Sequence, residues 1–280
     1  MPKGEKGGFP TFWTEFGSGP NEALLLHCTL GHSGAWKGMA AQLGDLLHMT
    51  AFDIPGHGKS GKWDYRGPLQ RTTVDMALAF LDGPTDLIGH SFGTTVALRL
   101  ATERPDLVRS LVLIEPVFLA VAFADDPTSR VRHDNELQEY GQALKSGDMM
   151  AAAKSFSDLW GGGRPWDSLP EAQRRDMAEK IKVVEQTTPE VVDDSAGLLA
   201  SGAIEALNVP TLLIEGANTP EYIRLVAAGL KRRIRGSQHA VVEGAGHMAP
   251  LTHPKQVAAL IRAFLGNLPG ENQPLAAARN

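Results

Sequence analysis

The sequence predicts an α/β fold in which helices cover both faces of a mainly parallel sheet. Short apolar runs bounded by turn residues alternate with longer segments of helical periodicity, as in strand–helix–strand units. These runs are apolar almost throughout, which is typical of strands buried on both faces. With 280 residues, 42% of them hydrophobic, the chain is long enough for one large domain, or one domain with an insertion.

Six runs are predicted as strands and five segments as helices of the main domain. Turn residues bound each run, and the last helix begins with Pro254, where a missing N–H does no harm. The predicted strands are residues 23–27, 49–52, 86–88, 110–114, 211–215 and 240–243, and the predicted helices are residues 34–47, 72–81, 92–103, 222–230 and 254–265.

Residues 118–208 interrupt the alternation, because they contain helical patterns and no convincing buried strand. We therefore predict a core formed by residues 1–117 and 209–268, with an all-helical insertion, the cap, at residues 118–208. Residues 269–280 are predicted to be a loose tail. The helical patterns of the cap are residues 135–146, 148–159, 171–184 and 189–199, with a glycine-rich turn at 161–163.

Composition excludes several classes of function. The formal net charge is −5, which provides no general attraction to nucleic acid or to an anionic membrane. One cysteine, Cys28, excludes an internal disulfide or a cysteine-rich zinc site, and no H-E-x-x-H motif is present. Gly58-Lys59-Ser60 does not complete a phosphate-binding loop, which needs glycine where Asp53 stands. We expect no metal or cofactor.

No secretory signal and no apolar stretch long enough to cross a bilayer is visible in the sequence. We therefore expect a soluble, cytoplasmic protein without membrane insertion. The sequence leaves open whether the chain forms a homo-oligomer.

The most informative segment is Gly89-His-Ser-Phe-Gly93, a G-x-S-x-G motif. It follows a predicted strand and precedes a predicted helix, the context in which such a serine lies on a sharp, strained turn. Ser91 is then presented above the sheet, with small residues on both sides where neighbouring chain passes close. The helix that follows contributes free N–H groups that stabilise an oxyanion. The motif predicts Ser91 as a nucleophile.

Together with this motif, five further segments resemble the α/β-hydrolase superfamily across nearly the full length of the chain. The resemblance implies a serine hydrolase, similar to esterases and lactonases, with a helical cap over the active site. The segments are LLLHCTLGHSGAW (24–36), FDIPGHGKS (52–60), LVLIEP (111–116), VPTLLIEG (209–216) and GAGHMAPLTHP (244–254).

A neutral imidazole must take the proton of the nucleophile. Of the nine histidines, His247 lies in a glycine-rich loop after the last predicted strand, which matches the serine–acid–histidine order of this fold. We predict His247 as the base. His90 is expected to pack or to form a local hydrogen bond, His27 to hold the oxyanion loop, and His57 to lie in a turn behind the site.

The acid is less obvious, because Asn218 stands where the family usually has aspartate. Some members carry the acid at the end of the preceding strand, which is Glu115 here. A carboxylate at the tip of an apolar strand needs a partner, and His247 would be one. We predict Glu115 as the acid and Glu215 as the alternative. Asp53 and Asp194 remain less favoured candidates.

The oxyanion hole is predicted to use two backbone N–H groups. Phe92 provides one because it follows the nucleophile, and by resemblance Thr29 provides the other, although Cys28 replaces the usual glycine before it. Cap residues decide the substrate. Six apolar cap residues could either line the pocket or only pack the cap on the core: Phe118, Phe123, Met149, Met150, Trp160 and Trp166. His32 and Met248 are further candidate pocket residues.

The predicted activity is hydrolysis of a small-to-medium carboxylic ester or lactone through an acyl-enzyme. Three alternatives remain open: hydrolysis of a C–C bond, a cofactor-free haloperoxidase-type activity with the same three residues, and a receptor-like member that binds a ligand. An ester or lactone is the expected small-molecule partner. The sequence does not reveal the acyl or alcohol group.

Overall fold

A computed structural model describes residues 1–161 and 164–268; the predicted tail at 269–280 and most of the predicted turn at 161–163 lie outside them. A hairpin pairs β1 (Gly4–Lys6) with β2 (Phe9–Thr11). Separate from it, the described residues form a main sheet of seven strands: β3 (Trp13–Phe16), β4 (Asn21–Leu26), β5 (Leu47–Phe52), β6 (Thr85–His90), β7 (Val108–Ile114), β8 (Thr211–Gly216) and β9 (Gln238–Val242). Their order is β3-β5-β4-β6-β7-β8-β9. Within this main sheet, only β3 is antiparallel to its neighbour.

Helices cover both faces of the sheet, as predicted. Successive residues of a strand point to opposite faces, so Leu24 and Leu26 of β4 join one hydrophobic cluster while Ala23 and Leu25 join another. The first cluster includes side chains of α2 (Leu69–Leu78), α3 (Phe92–Glu103) and α10 (Glu221–Arg233). The second includes side chains of α1 (Lys37–Leu43), α11 (Ala249–Thr252) and α12 (Pro254–Gly266).

All six predicted strands are confirmed with shifted ends, and three short strands were not predicted. The unpredicted strands β1, β2 and β3 have three or four residues each, too few to show a period. The predicted helix at 34–47 is wrong at both ends. It is a 3-10 helix, Ser33–Trp36, followed by α1, and β5 already begins at Leu47.

The described residues of 118–208 contain helices and no strand, as predicted for the cap. The division of the chain into core and cap remains a prediction. The predicted helix at 189–199 is wrong, because Pro189 lies inside a helix that ends at Val191. Asp194 then takes a positive φ of 50°, and its carboxylate accepts the N–H groups of Leu198 and Leu199, which competes with helix formation. The helices are α4 (Leu119–Asp125), α5 (Pro127–Glu136), α6 (Gln138–Ser146), α7 (Met149–Trp160), α8 (Glu171–Lys180) and α9 (Lys182–Val191).

Glu190 lies where α9 packs against α2 and α3 of the main domain. It is buried, and its Oε2 has no hydrogen-bond partner. Burial raises the pKa of Glu190, although the charge of Arg99 works in the opposite direction. In the unfolded chain this carboxyl has its ordinary pKa. At pH values between the ordinary and the raised pKa, the unfolded state therefore binds fewer protons than the folded state. The stability contributed by this group therefore falls as the pH rises through that window.

We expect Glu190→Gln to remove this loss, because an uncharged amide is less costly to bury than an unpaired carboxylate. The free energy of unfolding should exceed that of the wild type by about 1 kcal/mol at pH 8 and equal it near pH 4. Urea unfolding at the two pH values measures the difference. Glu185→Gln, an exposed glutamate of the same helix, is the control. Equal pH dependence in wild type and Glu190→Gln would contradict the prediction.

Candidate active site

Ser91 lies at the turn between β6 and α3, in a conformation that few residues adopt. Its φ is 53° and its ψ is −121°, a strained region for any residue with a Cβ. Glycine is required on both sides: a Cβ on Gly89 would lie 2.5 Å from the carbonyl oxygen of Gly93, and a Cβ on Gly93 would lie 2.0 Å from that of Leu26. The turn presents the Ser91 hydroxyl at the carboxyl end of the sheet, as the motif predicts.

Ser91, His247 and Glu115 form one continuous hydrogen-bonded chain. Ser91 Oγ is 2.9 Å from His247 Nε2, and His247 Nδ1 is 3.0 Å from Glu115 Oε2. A carboxylate can only accept, so Nδ1 carries the proton and Nε2 is left to accept from the serine hydroxyl. All three residues are buried. The arrangement joins a hydroxyl, a base oriented toward it, and an anion that can balance the charge of the protonated base.

Glu115 lies directly after β7, also at a positive φ, of 54°. Its Oε1 accepts the N–H of Gly216, and its Oε2 accepts the hydroxyl of Thr219 as well as Nδ1 of His247. Burial pushes the pKa of Glu115 upward, but the bond and charge of His247 and the bonds from Thr219 and Gly216 outweigh it, and the pKa is lowered. Glu115 is therefore ionised at neutral pH.

The other acids weighed from the sequence do not reach the imidazole. Glu215 lies beside β9, where its Oε1 is 3.5 Å from His239 Nε2, and burial raises its pKa. Asp53 accepts the N–H groups of Ser33 and Lys59, and Asp194 caps the turn after α9. Asn218, where aspartate is usual, is exposed. Among the side chains considered for the acid, Glu115 is the one that contacts His247 in the described structure.

The loop after β4 brings Thr29 to the same place. The N–H of Leu30, which has a φ of 61°, donates to His57 Nε2 at 2.9 Å, and His57 Nδ1 donates to the Pro55 carbonyl at 2.9 Å. Burial lowers the pKa of His57 to about 3, so its Nε2 stays an acceptor at neutral pH. Thr29 and Phe92 both line the cavity above Ser91, and Phe92 begins α3, where N–H groups have no partner within the helix.

His27 fixes the start of the same loop. Its Nδ1 donates to the Cys28 carbonyl at 2.7 Å, and its Nε2 accepts the N–H of Ile54 at 3.0 Å. Burial lowers the pKa of His27 to about 4 and raises that of the Cys28 thiol to about 12. The imidazole therefore remains neutral and the cysteine protonated, which leaves Cys28 as a small buried side chain without nucleophilic character.

We expect His57→Leu to lower kcat/KM for ester substrates by about 10- to 100-fold, because the Leu30 N–H loses its acceptor and Thr29 loses its support. His57→Gln, whose amide oxygen can accept the same N–H, should retain more of the activity. Initial rates with a p-nitrophenyl ester measure both. His48→Leu, a histidine on the surface side of β5 paired with Glu22, is the control. Full activity of His57→Leu would show that this bond does not hold the loop.

A cavity of about 220 Å³ adjoins Ser91. Its floor includes Thr29, Ser91 and Phe92, and most of its wall comes from the cap. The apolar wall residues include Val117, Leu119, Leu137, Phe156, Trp160 and Val191, and a polar stretch is formed by Arg130, His133 and Asp134. For scale, a cavity of about 150 Å³ accommodates benzene, so the cavity has room for a small-to-medium apolar group.

Of the candidate pocket residues, Trp160 lines this cavity. Phe118, Phe123 and Trp166 do not line it: Phe118 packs in the main core, Phe123 lies against the ring of His133, and Trp166 packs inside the cap with Tyr140. A stripe of apolar residues in the sequence does not distinguish the side of a cap helix that packs from the side that faces a cavity.

The remaining candidates also lie outside the cavity wall. His32 is exposed, and its Nδ1 accepts the N–H of Gly34 at the start of the 3-10 helix. Met248 follows the base and precedes α11. Met149 and Met150 begin α7, at the opposite end of that helix from Trp160.

Several residues of the site were not predicted. Thr219 and Gly216, which hold Glu115, carry no motif of their own, although both follow the strand end that the sequence identified. The wall residue Leu137 belongs to a helical pattern in which nothing marks one face, and the two threonines Thr187 and Thr188 lie between two of the predicted patterns, within the observed α9. Their role depends on how the cap packs, which the sequence alone does not specify.

Within residues 1–161 and 164–268, no group of three or more His, Cys, Asp and Glu side chains is arranged to hold a metal ion. Over the same part of the chain, no helix is both long enough and apolar enough to traverse a lipid bilayer.

Comparisons with known proteins agree with this fold. The model of the alpha/beta hydrolase family matches residues 23–260. The chain is 30% identical over 265 residues to lipase LipV of Mycobacterium tuberculosis, covering 89% of this chain and 95% of the lipase. It is 29% identical over 259 residues to the pimeloyl-[acyl-carrier protein] methyl ester esterase of Neisseria meningitidis, covering 87% of this chain and 76% of the esterase.

A solved structure of an enol-lactonase from Burkholderia xenovorans superposes with a TM-score of 0.72 at 16% identity, covering 93% of this chain and 98% of the lactonase. At that identity the likeness concerns the fold alone. The chain belongs to the α/β-hydrolase family. Its family and its curated relatives support hydrolase activity.

Proposed function

We propose that this protein is a serine hydrolase that cleaves a small-to-medium carboxylic ester or a lactone through an acyl-enzyme. The observation that carries the proposal is the chain from Ser91 Oγ through His247 to Glu115, with contacts of 2.9 and 3.0 Å, beside a largely apolar cavity. Relatives named as a lipase and as a methyl ester esterase favour an ester over other acyl substrates.

In the proposed mechanism, Ser91 Oγ attacks the carbonyl carbon of the substrate while His247 Nε2 takes the hydroxyl proton. Glu115 stabilises the imidazolium and keeps Nδ1 protonated. The N–H groups of Phe92 and Thr29 receive the developing oxyanion. The imidazolium then protonates the leaving alcohol, and water activated by His247 releases the acid and restores Ser91.

A series of p-nitrophenyl esters from acetate to dodecanoate tests the proposal and measures the preferred acyl length. Since the cavity holds about 220 Å³, we expect kcat/KM to be highest for short and medium chains and to fall for the longest. Intact-protein mass spectrometry after treatment with a fluorophosphonate should show one adduct, which maps to Ser91. Absence of both hydrolysis and adduct would overturn the proposal.

The same assays separate the alternatives. A receptor-like protein would hydrolyse esters no faster than its own slow turnover of bound ligand, without a burst of p-nitrophenol. A C–C bond hydrolase would cleave a β-diketone faster than an ester, and a haloperoxidase-type enzyme would need peroxide and halide for its products. Analysis of products from matched ester, lactone and β-diketone substrates distinguishes these outcomes.

A further inference from the structure

The imidazole of His247 contacts two aromatic rings from different parts of the molecule. The first is His90 of β6, with ring centroids 5.4 Å apart and an interplanar angle of 40°; its Nε2 donates to the carbonyl oxygen of His247 at 2.8 Å. The second is Trp160 of α7, with centroids 4.8 Å apart and an angle of 67°. The residue in the position of the base is therefore contacted by the main domain and by the cap.

Trp160 is itself held by contacts that join the two parts of the molecule. Its ring is 5.5 Å from that of Tyr222 in α10, and the Tyr222 hydroxyl donates to Glu136 of α5 at 2.8 Å. Trp160 is also 6.2 Å from Phe156 of its own helix, and its side chain is buried. The indole is thus packed against Tyr222 of α10 as well as against its own helix.

We propose that Trp160 is a positioning residue for His247: by closing on the imidazole, the cap holds the base in its working orientation and stabilises its protonated form. The inference rests on the proposed function, and it adds a role for the cap beyond enclosing the substrate.

The need for such a contact arises during the reaction. In the resting site the imidazole is held by Ser91 at Nε2 and by Glu115 at Nδ1. Once Ser91 Oγ is acylated, it has no proton to donate, so Nε2 loses its partner until a water arrives. The ring would then be held by Glu115 alone. A near-perpendicular aromatic contact is a favourable geometry, and Trp160 continues to hold the ring through this interval.

The contact also affects the charge of the base. The ring centroids are 4.8 Å apart, which is within the distance of about 6 Å at which an aromatic ring and a cation interact, so Trp160 favours the imidazolium that forms in each step. Glu115 acts in the same direction from the other nitrogen. His90 does not oppose them, because burial and the nearby charge of His247 lower the pKa of His90 to about 3, and the ring remains neutral.

The test compares Trp160→Leu, which keeps an apolar side chain but no ring, with Trp160→Phe, which keeps a ring. With p-nitrophenyl butyrate, we expect Trp160→Leu to lower kcat by about tenfold, because a mispositioned base costs this much or more. The acid limb of the pH profile of kcat/KM should move to lower pH, because the imidazolium loses its attraction to the ring. Trp160→Phe should remain within about threefold of the wild type.

Val191→Ala is the matched control, since Val191 lines the same cavity from another helix, α9. It should change KM and leave the acid limb in place. Thermal unfolding of each variant verifies that it is folded. If Trp160→Leu changes KM alone, or if the pH profiles of Trp160→Leu and Trp160→Phe coincide, Trp160 is only a wall of the cavity and the inference is overturned.

Tyr222→Phe provides a second, milder variant, because it keeps the ring against Trp160 and removes the bond to Glu136. We expect kcat to fall about two- to threefold and the acid limb to shift in the same direction; no shift with unchanged kcat would count against the inference. If the wild type hydrolyses no ester, the proposed function fails. NMR titration of the His247 ring in wild type and Trp160→Leu then tests the contact between Trp160 and His247 separately. Identical titration midpoints in the two proteins would overturn the inference.

Discussion

Ser91→Ala should lower kcat/KM for esters by about 10⁴- to 10⁶-fold while the fold is retained. The proposed acyl-enzyme needs the hydroxyl oxygen, and the residual rate comes only from the oxyanion donors and from binding. The hydroxyl makes one bond, to His247, so its removal leaves the core unchanged. Steady-state rates and circular dichroism measure the two effects, with the exposed Ser146→Ala as the control. A loss of less than about tenfold would remove Ser91 from the mechanism.

The strain at this position gives the same prediction a second readout. Ser91 has a φ of 53°, a conformation that glycine adopts at little cost and other residues adopt at about 1–2 kcal/mol. Ser91→Gly should therefore be as inactive as Ser91→Ala and yet more stable than the wild type, by about 1 kcal/mol in urea unfolding. Equal stability of the alanine and glycine variants would show that the elbow is not strained.

Glu115→Gln should lower kcat/KM by about 10³- to 10⁴-fold. The three groups that contact the carboxylate all donate: Nδ1 of His247, the hydroxyl of Thr219 and the N–H of Gly216. A carboxylate accepts from all of them, whereas an amide must place its NH₂ group against one donor. The imidazole then loses its orientation, and the imidazolium loses its counter-charge.

Two substitutions serve as controls for this prediction. Asn218→Ala and Glu215→Gln change the residue at the usual family position and the alternative acid, and neither side chain contacts His247 in the described structure. Both should stay within about threefold of the wild type. Glu115→Asp, which keeps the charge but shortens the side chain, should fall between the wild type and the glutamine variant. If Glu215→Gln is as damaging as Glu115→Gln, the acid is assigned to the wrong strand.

The parts of the molecule that the sequence predicts well are those in which local chemistry permits one solution. The two glycines beside Ser91 are examples, because any side chain at Gly93 would meet the Leu26 carbonyl. The predictions that failed depend on competition between local preferences. Residues 189–199 have a helical pattern, but Asp194 bonds the following N–H groups and ends the helix early. The short strands β1 to β3 are defined by pairing with other strands. Three or four residues are too few to show the alternation of apolar and polar residues from which a strand is predicted.

The amino-acid sequence alone determined the fold class, the six strands from β4 to β9, and the turn that carries Ser91, because apolar periodicity and glycine positions act over a few neighbouring residues. Tertiary structure decided which of two glutamates at adjacent strand ends faces His247 and which of two cap tryptophans lies against it. Glu115 reaches the imidazole because its backbone turns at a φ of 54° and because Gly216 and Thr219 of the neighbouring segment hold its carboxylate. Trp160 reaches it because the last residue of α7 lies against the loop that carries His247. Such contacts join residues more than 80 positions apart, and only the packed chain specifies them.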